Sequence, residues 1–81
     1  MRKNELDVLS IEVLLEEMIQ QQKKVMLRCA KRILPQVIAD DLLQPNDFPE
    51  IEGNPIFRYE EGVLAGIQSV QMALRAILKE R

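Results

Sequence analysis

Between Val63 and Ile77 the apolar residues Val63, Ile67, Val70, Leu74 and Ile77 recur in steps of four, three, four and three. This is the a/d spacing of helices packed side by side, and it predicts a helix over 55–79 with a face that must be covered. One residue ahead runs a second stripe with the same steps: Gly62, Gly66, Ser69, Ala73 and Ala76. Glycine inside a helix costs about 1 kcal/mol relative to alanine, so two of them predict a compensating close approach of another backbone. The first candidate is the chain's own first helix. The second is a helix of another subunit or another protein.

That first helix is predicted over residues 5–34. Val8, Ile11, Leu15, Met18, Val25, Cys29 and Ile33 form one face, which Leu14, Met26 and Ala30 widen, while Glu12, Glu16, Lys24, Arg28 and Lys31 fall elsewhere. Asn4 is the expected N-cap, with Asp7 three residues on as the capping-box acid. Gln20, Gln21 and Gln22 interrupt the apolar face, either as polar residues that set register in a seam or as plain exposed positions. Pro35 has no amide hydrogen and disfavours helical geometry at Leu34, so the rod ends there.

A short helix is expected at 36–43, with Val37, Ile38 and Leu42 inward. A loop follows at 44–54, where Pro45, Asn46, Asp47, Pro49, Gly53 and Asn54 concentrate turn formers. Asn54 before Pro55 is the cap and first-turn pair that opens the second long helix, unless it starts a turn later near Arg58. All three aromatic residues, Phe48, Phe57 and Tyr59, lie in or beside this loop. They are read as anchors for a partner or as caps on the open end of a hairpin.

With 81 residues, the chain hides only about 60% of its unfolded surface on folding, so one domain spanning 1–81 with a small core is expected. There is no histidine, hence no imidazole base or ligand, and neither catalytic residues, metal ligands nor cofactor-binding residues are expected. The adjacent carboxylates Glu16 with Glu17, Asp40 with Asp41 and Glu60 with Glu61 diverge by about 100° on a helix and read as surface charge. The single cysteine, Cys29, continues the apolar stripe and reads as a small buried hydrophobe in a reduced, cytoplasmic setting.

The basic start, Met1 to Lys3, runs into Glu5, Asp7, Glu12, Glu16 and Glu17 rather than an apolar run. Neither a signal peptide nor a membrane span is expected. Net charge is −2 but strongly segregated: −3 over 1–22, +5 over 23–34, −6 over 35–62 and +2 over 63–81. Such alternation suits a chain folded back on itself. The basic run 23–32, with Lys24, Arg28 and Lys31 on one face, leaves nucleic-acid binding as an alternative function.

The whole reads as an all-α antiparallel helical hairpin with a short middle helix and a proline-rich connector. In architecture alone it is similar to small bacterial helical-hairpin chaperones such as those of type III secretion, a likeness that transfers no functional residue. A two-helix hairpin leaves much of each apolar stripe uncovered, and association is the remedy open to a chain without disulfides. The expectation is a noncatalytic protein-interaction module, acting as a homodimeric four-helix bundle or with a heterologous partner helix. Gly62, Val63, Gly66, Ile67, Val70, Ala73, Leu74 and Ile77 would serve as its packing or partner-binding residues.

Overall fold

In the computed structural model, which describes residues 7–79, α1 spans Val8–Ile33. Its start differs from the expected one. Asp7 is itself the N-cap, extended at φ −105° and ψ 176°, and its carboxylate accepts a 2.8 Å hydrogen bond from the Ser10 amide. A short acidic side chain at this position satisfies an amide that the first helical turn leaves unpaired. Asn4, the expected cap, lies outside the described residues. The other end stops where the proline requires: Leu34 is extended, and its amide closes the last turn on the Ala30 carbonyl at 2.8 Å.

The connector is more ordered than expected. The Val37 amide bonds back to the Leu34 carbonyl at 3.0 Å, turning the chain over Pro35 and Gln36. The short helix expected at 36–43 is shorter and tighter, a 3-10 helix over Ala39–Leu43. It begins late because Ile38 is extended, its amide held by the Asp41 carboxylate at 3.0 Å. Val37 is buried and Leu42 half-buried as expected, but Ile38 is exposed. The expected loop at 44–54 contains a second 3-10 turn, Pro45–Asp47, and a one-turn helix α2, Pro49–Glu52. In both, proline opens the turn, where its missing N–H costs nothing.

α3 spans Pro55–Lys79, the expected range. Asn54 caps it with one side-chain oxygen, which accepts from the Ile56 and Phe57 amides at 2.9 and 3.0 Å. α1 and α3 pack together as two long antiparallel helices, and no strand occurs among the described residues. The hairpin measures 48 × 24 × 20 Å.

Its core sits at the connector end. Met26, Cys29 and Ala30 of α1 meet Val37, Ile51 of α2 and Phe57 of α3, and Leu34, Leu42, Phe48 and Leu64 close around them. Phe57, Ile51 and Val37 are the largest fully buried side chains. Beyond this cluster, α1 buries Leu15, Ile19 and Gln22 along its length, and α3 buries only Gln71.

Candidate functional site

The seam between the long helices keeps Leu15, Met26, Cys29 and Ala30 of the expected α1 face and differs from it elsewhere. On α1 it follows Leu15, Ile19, Gln22, Met26 and Cys29, so Ile19 and Gln22 take places assigned to Met18 and Val25; Met18 is exposed and Val25 half-buried. On α3 it follows Phe57, Leu64 and Gln71, about a quarter-turn from the Val63-to-Ile77 stripe. Two glutamines, Gln22 and Gln71, are buried in the seam.

Each glutamine is hydrogen-bonded. Gln22 donates to the Glu60 backbone oxygen at 2.9 Å and to the Glu60 carboxylate at 2.8 Å. Gln71 donates to Glu16 at 3.1 Å, and Arg75 donates from Nε to Glu12 at 3.2 Å. These rungs fix which residue of α3 lies beside which residue of α1. Among the described residues, no buried side-chain nitrogen or oxygen lacks a partner, so the rungs carry little of the penalty that an unmade buried hydrogen bond brings.

The expected stripe therefore lies beside the seam. Val63, Ile67 and Leu74 are half-buried, whereas Val70 is 55% and Ile77 57% exposed. Gly62, Gly66, Ser69, Ala73 and Ala76 are all exposed. A Cβ added at Gly62 or Gly66 meets nothing within 4 Å. The close approach predicted for this stripe is thus not to the chain's own first helix. α1 faces α3 with its Leu15–Ile19–Gln22 side, and the small residues point away from it.

On the same side of the hairpin, α1 exposes Leu14 and Met18. An open groove of about 510 Å³ runs between the helices there, lined by Glu17, Met18, Gln21 and Gln22 of α1 and Val63 and Ile67 of α3. The result is one continuous apolar face built from both helices. Its groups are methyls, a thioether and amides, which act by burial and hydrogen bonding, with the Glu17 carboxylate beside them. The opposite side has a second groove of about 460 Å³ between Leu27, Leu42, Leu43 and Leu64, with Lys23 and Asp40 at its rim.

The three aromatics have separate fates. Phe57 belongs to α3 and fills the core, and Phe48 is half-buried against it. Tyr59 is 69% exposed on α3. Cys29 is buried, and burial first, then the nearby Glu60 charge, push its thiol pKa up against a smaller opposing effect of Arg32. A thiol so placed behaves as packing.

Four of the six paired carboxylates are engaged within the fold. Glu16 accepts from Gln20 and Gln71, Glu60 from Gln22, and Asp41 from Ile38, while Glu61 pairs with Arg58 at 3.5 Å. No cluster of three or more carboxylates and thiols able to hold a metal occurs among the described residues. Lys24, Arg28 and Lys31 are exposed, and the Lys31 ammonium donates to the Val37 carbonyl at 2.9 Å, tying α1 to the turn that follows. No helix of the described residues is long and apolar enough to cross a membrane. No protein-family model matches the chain, and neither the curated proteins nor the solved structures give a match.

Proposed function

We propose that this protein is a noncatalytic interaction module of the cytoplasm, an adaptor, small chaperone or assembly subunit. It acts by receiving two further helices on the open face of α1 and α3, which completes a four-helix bundle. Those helices come from a second copy or from a heterologous partner.

The observation that supports this reading is the placement of the regular a/d stripe. Val70 and Ile77 are more than half exposed although they continue a helix-packing repeat, and Gly62 and Gly66 beside them have open space above the backbone. Glycine's cost in a helix is offset when another backbone occupies that space. Among the described residues the hairpin supplies no such backbone, which supports one arriving from outside. Bundles of this kind bind through side chains on facing helices, which is how an apolar groove recognises an amphipathic helix.

Replacing Gly66 with Leu tests the reading cleanly. The site is open in the single hairpin, so the variant folds, with helical circular dichroism at least equal to that of the parent. It loses assembly, read as a fall in sedimentation coefficient and disappearance of the partner-bound species. Unchanged sedimentation and melting in this variant would count against the docking role.

A further inference from the structure

We propose that the basic end of α1 and the leucine groove beside it receive an acidic, leucine-bearing amphipathic helix of another protein. This surface lies on the side of the hairpin opposite the open face, so the proposal goes beyond the docking reading and does not rest on it.

The first support is charge that the fold leaves unanswered. Lys23, Lys24, Arg28, Lys31 and Arg32 are all exposed, and no carboxylate stands three or four residues from any of them along the chain. Like charges stand there instead: Lys24 and Arg32 lie four residues from Arg28, and Lys31 lies three. Such spacing destabilises a helix. Elsewhere the cations are paired, Arg58 with Glu52 and Glu61 and Arg75 with Glu12, whereas among the described residues none of these five makes an ion pair. The neighbouring connector is acidic, but its Asp41 holds the Ile38 amide and its Glu52 holds Arg58. Carboxylates brought by a partner relieve the crowding along this basic ridge.

The second is the apolar surface set among those cations. Leu27 has Lys23, Lys24 and Lys31 as its helix-surface neighbours at i−4, i−3 and i+4, and it forms part of one wall of the groove of about 460 Å³. Leu42 and Leu43 of the 3-10 helix and Leu64 of α3 form the others. Leu43 is 77% exposed, so its side chain is open to a partner. Lys23 stands on the α1 rim and Asp40 on the connector rim. A helix lying here places leucines in the groove, carboxylates over α1 and a neutral or basic residue toward Asp40. That is an amphipathic helix with one acidic edge.

The third separates this partner from a nucleic acid. From Lys24 to Arg32 the ridge is about 12 Å long, at about 1.5 Å per residue. It is bounded by Glu16 and Glu17 on one side and by the acids of the connector 35–54 on the other. Duplex DNA carries a charge every ~1.7 Å, so a duplex longer than the ridge lays phosphates over carboxylates. A helix of two or three turns fits the length. Phosphates also make no use of the leucine wall. Tyr59, the exposed aromatic, lies two residues from the buried Phe57 and so about 200° round α3 from it, where it offers no stacking platform beside the ridge.

Titration of the intact chain with a fluorescently labelled leucine/glutamate amphipathic model peptide, read by anisotropy at low and physiological salt, tests this. A leucine/lysine peptide of the same pattern and a single-stranded oligonucleotide are run beside it. One variant, Leu43→Gln, removes apolar surface, and a second, Lys24→Glu with Arg28→Glu, reverses the ridge. All three positions are exposed, so both variants keep the hairpin, checked by helical circular dichroism. The expected result is that the glutamate peptide binds and weakens as salt rises. Leu43→Gln weakens it at both salt concentrations, and the double reversal weakens it about tenfold and removes the salt dependence. Equal binding of the lysine peptide overturns the charge complementarity. An oligonucleotide that binds more tightly than the peptide and ignores Leu43→Gln makes the ridge a nucleic-acid site and overturns the helix as occupant. A glutamate peptide that binds every variant alike, or binds none, overturns the surface. Gly66 lines neither wall of this groove, so sedimentation of Gly66→Leu reads the open face separately.

Discussion

Phe57 is the residue on which the connector end turns. It is fully buried where α1, α2 and α3 meet, and removing an aromatic ring from such a site costs about 3–5 kcal/mol. Phe57→Ala should therefore unfold the isolated hairpin, read as loss of the cooperative thermal transition. The equivalent Tyr59→Ala, at an exposed position, should leave the melting of the single chain nearly unchanged. Charge acts at the same scale. Hydrogen bonds from Gln20 first and Gln71 second hold the Glu16 carboxyl below its ordinary 4.5, and those from Ser10 hold Asp7 below 3.8. Each group binds a proton less readily in the folded chain than in the unfolded one. The stability they bring is thus present above those ordinary values and is lost as pH falls through the lower folded values. Acid titration of the melting temperature should show a decline beginning below about pH 4.5, less steep in Glu16→Gln. Asp7–Ser10 and Glu16–Gln20 are neighbours on one helix, whereas Glu16 and Gln71 lie 55 residues apart and no local pattern pairs them.

Among the elements, the helix ends followed rules of local chemistry and the faces did not. Pro35 ended α1 and Asn54–Pro55 began α3 as their side chains and missing amide dictate. Asn54→Ala should cost about 1 kcal/mol, measured as a lower denaturation midpoint with an unchanged slope. The seam was misread because the period of an apolar stripe reveals that a face exists, not which of two neighbouring faces meets the partner. α3 has an apolar arc wide enough for both. Its inward side is marked by Phe57, Leu64 and Gln71, and a glutamine gives no hydropathic signal for burial. Of the two readings open for Gln20 to Gln22, register-setting holds for Gln22, whose two hydrogen bonds to Glu60 tie α1 to α3, and exposure for Gln20 and Gln21. The 44–54 segment was read as loop from its turn formers. Pro45 and Pro49 instead start short helical turns, and Ile51 between them is drawn fully into the core.

At the level of the molecule, an apolar surface wider than the seam was legible in outline and its location was not. The repeat from Val63 to Ile77 announced a surface in need of cover, and only the three-dimensional arrangement separates the part satisfied within the chain from the part left open. The uneven placement of the core has a further consequence. Met26, Cys29, Ala30, Val37, Ile51 and Phe57 all gather near the connector, while toward the far ends α1 buries only Leu15 and Ile19 among its apolar residues, beside Glu12–Arg75 and Glu16–Gln71. Such a body behaves like tongs riveted at one end. Amide deuteration of the lone protein should run as a gradient, slowest around Ile51 to Leu64 and fastest toward Val8 and Lys79, since local opening needs less free energy where fewer apolar groups are buried. Whatever grips the prongs should flatten that gradient, which makes the exchange rate at the tips a direct gauge of occupancy.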